Sequence, residues 1–267
     1  MPNIIIRDKI LGNPYVWKQT RDLLFSFTNK PTFTQQRNIN DTVNSLIVSG
    51  LWAKHDTIWV MAAHSQQAGQ INWKNPGQFT LTLVNSPTFT AFQGFAGDGA
   101  TKYITTGWIA SVHGQNFKLN NGASYVYDRT NLAESKYQAG VYSAGPNSGN
   151  INITRAAGDL AYFYANDVTN STYPSTDSRG LFLNNRVGAG TKTAYKNGIF
   201  QSSAAVASVA LPTLEDYILG CNANGSLSLP TSHEIAIRGY AGGLTTDEQM
   251  KLYNIWQKYM TNMNTQV

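Results

Sequence analysis

The stretch 191–201, TKTAYKNGIFQ, sets a two-residue turn between two runs of strand-forming residues. Asn197-Gly198 can take the positive φ angles that such a hairpin turn requires, since glycine has no Cβ and asparagine tolerates the left-handed region. Outward from this hairpin, Asn121-Gly122 carries the same signal between FKLN and ASYVYD. Further strand-like runs are TKYITTG (101–107), AGVYSA (139–144), INITRA (151–156), LAYFYA (160–165), GLFLNN (180–185), DYILG (216–220) and HEIAIRGYA (233–241). The region from Phe95 to Gly243 is thus a series of short strands with few helical patterns between them. That predicts an all-β fold, an antiparallel β-sandwich or barrel, rather than a parallel α/β sheet.

The 267 residues are enough for one large β-domain with a substantial core. Charged residues make up only 13% of the chain, about half the usual share for a soluble domain, and Asn, Thr, Ser, Gln and Gly fill the gap. Such a surface binds through hydrogen bonds and aromatic faces more than through charge. The net charge of +5 is spread over 20 scattered Lys and Arg with no basic run, so a mildly basic surface explains it and no nucleic-acid partner is expected. Cys221 is the one cysteine, which excludes an intrachain disulfide and a cysteine-type zinc site. No segment approaches the ~18 uninterrupted apolar residues of a membrane span, and the N-terminus lacks the pattern of a signal peptide. No membrane insertion is expected.

Before the strands, residues 1–36 show no strong periodicity and end in the extended PTFTQQ; they are read as an N-terminal arm or docking segment, with one domain over 37–267. PTFT recurs at Pro87–Thr90, too short to mark a repeat. Asn38–Ala53 has Val43, Leu46, Ile47 and Leu51 on one face, which predicts a helix capped by Asn40 or Asp41. TIWVMAA (57–63) reads as a buried strand, 64–72 as one or two helical turns, Asn75-Pro76-Gly77 as a turn, and FTLTLVN (79–85) as a half-buried strand. At the far end, Thr245 and Glu248 form a capping box, and Leu252, Ile255, Trp256 and Tyr259 follow helical spacing over Leu244–Met260.

Three of these stretches resemble a known group of proteins. NSLIVSGLWAKHDTIWVMAAHSQQAGQINW (44–73) and LTLVNSPTFTAFQGFAGDGATKYITTG (81–107) resemble successive blocks of tailed-bacteriophage and prophage structural proteins. The closing run from YILGCNANG to the last helix is similar to the end of laminin-G-like and concanavalin A-like domains. The resemblance covers roughly 38–262 and implies a concanavalin A-like jelly roll with a short N-terminal and a C-terminal helix. It also implies a virion component on the particle surface: a capsid decoration, head fibre or tail-associated adhesin. Other virion proteins and host surface glycans are the implied partners, with copies arranged as a homo-oligomer by particle symmetry, although no coiled-coil heptads mark a trimer. The implied location is the virion, assembled in the host cytoplasm. Residues 1–36 lie outside the match and are the candidate attachment arm, so their deletion is expected to leave a folded domain that no longer joins particles.

The chemistry of the residues points to binding rather than catalysis. Glycoside hydrolysis needs two carboxyl groups across the scissile bond. The laminarinase-like relatives of this fold carry them as E-x-D-x-x-E, whereas Glu134, Glu215, Glu234 and Glu248 stand in no such spacing. Glu215 and Asp216 would point to opposite faces of a strand, and a pairing of Glu234 with Asp159 stays open. His55, His64, His113 and His233 are far apart and read as packed or surface residues, and Cys221 as a buried small side chain. No G-x-S-x-G surrounds a serine. Gly94, Gly97 and Gly99 mark a strand-entry turn in which Asp98 caps backbone N–H groups. No catalytic residue, cofactor or metal is assigned.

A sugar ring is held by an aromatic face with planar polar groups around it. The candidates are Tyr125, Tyr127, Asp128, Arg129 and Asn131, then Tyr162 and Tyr164, then Tyr195 and Asn197. Strand alternation puts Tyr125 with Tyr127 on one face, and Tyr162 with Tyr164 on one face opposite Phe163. The bland account of each tyrosine is that it packs in the core. Two rival functions remain: a depolymerase on the same fold, which would release reducing sugars, and a prophage-encoded lectin absent from the particle.

Overall fold

Asn197 and Gly198 adopt φ of 52° and 75° and join the antiparallel strands Lys192–Lys196 and Ile199–Ala204, as the turn chemistry predicts. The structure is a computed structural model and describes residues 16–267. Its strands in chain order are β1 (His55–Val60), β2 (Thr82–Val84), β3 (Thr88–Thr90), β4 (Gly94–Ala96), β5 (Tyr103–Ile109), β6 (Gly122–Asp128), β7 (Ala139–Ala144), β8 (Asn147–Ala156) and β9 (Leu160–Asp167). There follow β10 (Ser171–Pro174), β11 (Gly180–Arg186), β12 (Lys192–Lys196), β13 (Ile199–Ala204), β14 (Glu215–Ile218), β15 (Cys221–Ala223), β16 (Ser226–Ser228) and β17 (Glu234–Ala241). The helices are α1 (Lys18–Ser26), α2 (Phe33–Val48), α3 (Leu51–Lys54), α4 (Gln66–Gln70), α5 (Ala110–His113) and α6 (Thr246–Asn262).

The first sheet runs β13-β12-β11-β6-β17-β4-β3, with β1 also paired to β17; the second runs β10-β9-β8-β7-β14-β5-β2, with β15 and β16 attached beside β7. Pairings between strands are antiparallel except β15 with β7. The two sheets stack as a sandwich, so the expected all-β architecture holds. Asn121-Gly122 differs from expectation. Asn121 bridges back to Lys118, and Gly122 already begins β6. Glycine is required there by a close approach, because a Cβ would meet the Phe117 ring at 2.6 Å.

Alternation sends Val126 of β6 and Phe182 of β11 inward, where they meet Ala139, Ala161 and Phe163 of the second sheet. Toward the other end Trp59, Phe95, Ile104, Trp108, Ile218 and Tyr240 fill the same space. Three buried polar networks also cross between the sheets. Arg238 of β17 donates from Nε and Nη2 to Asp216 of β14, both at 2.9 Å, and from Nη1 to Asn152 of β8. Arg186 and Lys192, on β11 and β12, both reach Asp167 at the end of β9. Asp128 of β6 accepts from Thr154 of β8 at 2.7 Å and holds His233 at 2.6 Å.

Helices α1, α2, α3, α4 and α6 form a third layer on the outer face of the first sheet. Thr245 and Glu248 make the capping box of α6, as read from the sequence. Leu252, Trp256, Tyr259 and Met260 of α6 pack with Tyr125, Tyr127, Leu181, Leu183 and Tyr195. The earlier helix starts at Phe33 rather than Asn38. Its cap is Thr32, whose hydroxyl accepts from Gln35 N while the Gln35 side chain accepts from the Thr32 N–H. Asn40 and Asp41 are interior residues of α2, and Gly50 at φ 78° separates α2 from α3. Leu23, Leu24 and Phe27, placed in the arm by the sequence, lie buried in the same cluster as α6. Residues 1–15 of that arm lie outside the described residues. Among the described residues no helix is long and apolar enough to cross a membrane.

Candidate functional site

Among the described residues helices lie over the outer face of the first sheet and none lies over that of the second. On β5 and β14, Ile104 and Ile218 point into the core, so Tyr103 and Tyr217 point outward, their rings 4.8 Å apart. On β9, Ala161 and Phe163 point inward, so Tyr162 and Tyr164 share the outer face as the alternation predicts. On β7, Val141 is buried and Tyr142 faces out half-buried. Tyr137, just before β7, joins them.

Tyr137, Tyr142 and Tyr164 line a depression of about 340 Å³, with Asn147, Gly149 and Ile151 between them. Its relief follows from strand register. Tyr164 pairs with Ile151, Ile151 with Gly140, and Gly140 with Tyr217, while Tyr142 pairs with Gly149. A side chain at Gly140 would meet Ile151 at 2.9 Å, so this position is held empty between aromatic neighbours. The Tyr142 hydroxyl donates to Asn147 Oδ1 at 3.0 Å. Burial, reinforced by the neighbouring Tyr137 and Tyr162, pushes the Tyr164 phenol up to about 12, and burial also raises Tyr137. Both stay protonated at neutral pH and act as hydroxyl donors. The Cys221 thiol, also lining the depression, is pushed up by burial and then by Asp216, so it remains a neutral thiol.

A second cleft of about 580 Å³ opens near Lys74, Gln78, Phe79, His113 and Gln115, with His55 and Asp56 beneath. Its inner groups are already engaged. Asp56 accepts from the backbone N–H groups of Gln115, Asn116 and Phe117. Lys74 donates to Trp52 O at 2.6 Å.

The sequence-derived candidates divide between these surroundings. Tyr125 and Tyr127 do share a face, but it is the one beneath α6, and both are 0% exposed. Tyr125 donates to His55 Nε2 and Tyr127 to Gln257 Oε1, so neither can meet a sugar. Asp128 is fully buried against Thr154 and His233. Arg129 faces Glu234 at 3.7 Å. Asn131 Oδ1 accepts from Arg155 and from Ser178 N, fastening a loop. Tyr195 packs under α6, and Asn197 Oδ1 accepts from Leu181 N at 2.8 Å. Tyr162 and Tyr164 keep the outer face, and of these Tyr164 lines the depression. Tyr137 and Tyr142 were missed. The alternation of AGVYSA already sets Tyr142 on the face of Gly140, and that was the available signal.

The carboxylates are similarly committed. Glu134 accepts from Thr231 Oγ1 and Ser232 N, Glu215 from Gly107 N, and Glu248 from Lys54 and the cap of α6. Glu234 faces Arg129 and Asp159 binds Arg155, so the pairing left open between them is not formed. Asp98 accepts from the backbone of Ala100, Thr101 and Lys102, which holds its carboxyl well below the usual range, in keeping with a turn cap. Among the described residues no group of three or more His, Cys, Asp or Glu could hold a metal ion.

No protein-family model matches the sequence, and no curated protein matches it. Solved structures do. A Trypanosoma rangeli sialidase mutant displaying trans-sialidase activity aligns with a TM-score of 0.52 at 10% identity, over 84% of this chain and 39% of its own. Trypanosoma rangeli sialidase in complex with 2,3-difluoro-KDN gives 0.51 at 11% identity, over 82% and 39%. The receptor binding domain of botulinum neurotoxin type G gives 0.50 at 12% identity, over 76% and 52%. This chain therefore spans well under two thirds of each. The likeness is one of fold: two mostly antiparallel sheets stacked as a β-sandwich.

Proposed function

We propose that this chain is a non-catalytic attachment module on the surface of a bacteriophage particle, and that it holds glycans on the outer face of its second sheet. The observation that carries the glycan reading is the depression lined by Tyr137, Tyr142 and Tyr164, half-buried aromatics on the sheet face that no helix among the described residues covers. Aromatic faces with a nearby amide and protonated phenols supply the stacking surface and the hydrogen bonds that a pyranose needs. The sandwich fold serves cutting and holding alike. Holding is supported by the engagement of Glu134, Glu215, Glu234 and Glu248 in caps, ion pairs and loop closure. The particle location is supported by the resemblance of residues 44–107 to phage structural proteins.

Mass spectrometry of purified particles tests the location, and incubation of the purified chain with host envelope polysaccharide tests the activity. The reading expects the chain in the particle, retention of the polysaccharide and no release of reducing sugar. Reducing ends accumulating in proportion to protein would replace it with a depolymerase. Absence from the particle would leave a free lectin.

A further inference from the structure

We propose that the tyrosine depression selects neutral sugars over sugars that carry a carboxylate. This rests on the glycan-binding reading above and names the ligand class of that same site. A carboxylated sugar entering a half-buried site loses water from around its charge, and recovers that cost only through a cation or charge-assisted hydrogen bonds. The depression provides phenol hydroxyls, the Asn147 amide and the apolar surfaces of Ile151, Val168 and Ala223. Asp167 also borders it, but its side chain is 1% exposed and already paired with Arg186 and Lys192, so it too offers a ligand no free charge.

Two cations stand behind Asp167, and both are buried away from a ligand there. Lys192 Nζ donates to Phe163 O at 3.1 Å, Asp167 Oδ1 at 2.7 Å and Thr169 O at 2.6 Å, three acceptors for its three hydrogens. Arg186 donates from Nε to Ala165 O, from Nη1 to Ala189 O and Val206 O, and from Nη2 to Asp167. Both side chains are 0% exposed. Asp167 balances one of the two charges and backbone carbonyls solvate the other beneath the surface, so the groups that reach a ligand directly are uncharged donors and aromatic faces. The second cleft carries Lys74 in its lining, beside Asp56, so acidic glycans that bind there stay bound when tyrosines of the depression are removed.

The test is an array of neutral, uronic acid-containing and sialylated oligosaccharides, followed by calorimetry on matched pairs such as lactose and α2,3-sialyllactose. It is run on the full chain, on Tyr142→Ala/Tyr164→Ala, and on Ala223→Lys, with circular dichroism and unfolding midpoints to confirm folding. The proposal expects neutral hits that the double tyrosine variant loses, carboxylated counterparts at least tenfold weaker, and at least tenfold tighter binding of the acidic partner by Ala223→Lys. Equal or tighter binding of carboxylated sugars that disappears in the double variant would overturn the selectivity while leaving the glycan site in place. Binding of neither kind, or neutral-sugar binding indifferent to both tyrosines, would overturn the glycan reading and the selectivity with it.

Discussion

The pair that removes Tyr125 from the surface also makes the fold sensitive to acid. His55 is fully buried, its Nδ1–H donates to Leu51 O at 2.7 Å, and its Nε2 accepts from the Tyr125 hydroxyl at 2.9 Å. Burial lowers its pKa from 6.5 to about 4, with the Leu51 carbonyl opposing the shift and Lys74 adding to it. In the unfolded chain the imidazole titrates near 6.5. Between those values the unfolded state binds the extra proton, so stability falls as pH falls. The contribution is fully present above pH 6.5 and gone below the folded value. A gap of about 2.5 pH units at ~1.36 kcal/mol per unit makes it about 3 kcal/mol. Urea unfolding of the parent and of His55→Gln at pH 7.5, 6, 5 and 4 isolates this contribution, because the other titrations are common to both. The parent should lose about 3 kcal/mol more than the variant on going from pH 7.5 to 4. Parallel losses would refute the reasoning. So would an NMR titration placing His55 near 6.5, a measurement that does not require the variant to fold.

Two further substitutions probe how the layers are held. Asp216→Ala leaves the Arg238 guanidinium buried without its carboxylate, with a cost of about 3–5 kcal/mol expected in chemical denaturation; a loss under ~1 kcal/mol would mean water reaches that position. Leu23→Ala should cost about 2–5 kcal/mol because Leu23 is 0% exposed beneath the helical layer. An unchanged midpoint would return residues 16–36 to the status of a detachable arm.

Most strands were legible because their signals are local. Asn197-Gly198 fixes a hairpin through two residues, and AGVYSA coincides with β7 at Ala139–Ala144. The capping box of α6 was legible for the same reason. The matching T-x-x-Q box at Thr32 and Gln35 was equally local but lay within a segment taken as an arm, so the start of α2 was set five residues late. The site was harder to read. Alternation correctly placed Tyr125 beside Tyr127 and Tyr162 beside Tyr164, yet the two pairs look alike in sequence. What separates them is α6, more than a hundred residues from Tyr127 in the chain, which covers one face and leaves the other open. Which side of a strand faces solvent is decided by such distant packing, and a periodicity of two carries no information about it. The buried ions Asp216, Asp167 and Arg186 were invisible for a similar reason. Their partners lie across the sandwich, on strands distant in sequence.

The open tyrosine face carries the proposed attachment function. Calorimetric titration of host envelope polysaccharide fragments into the parent chain and into Tyr142→Ala/Tyr164→Ala addresses that face directly. Binding by the parent that weakens at least tenfold in the variant, with the unfolding midpoint little changed, is the predicted result. Undiminished binding by the variant would contradict it.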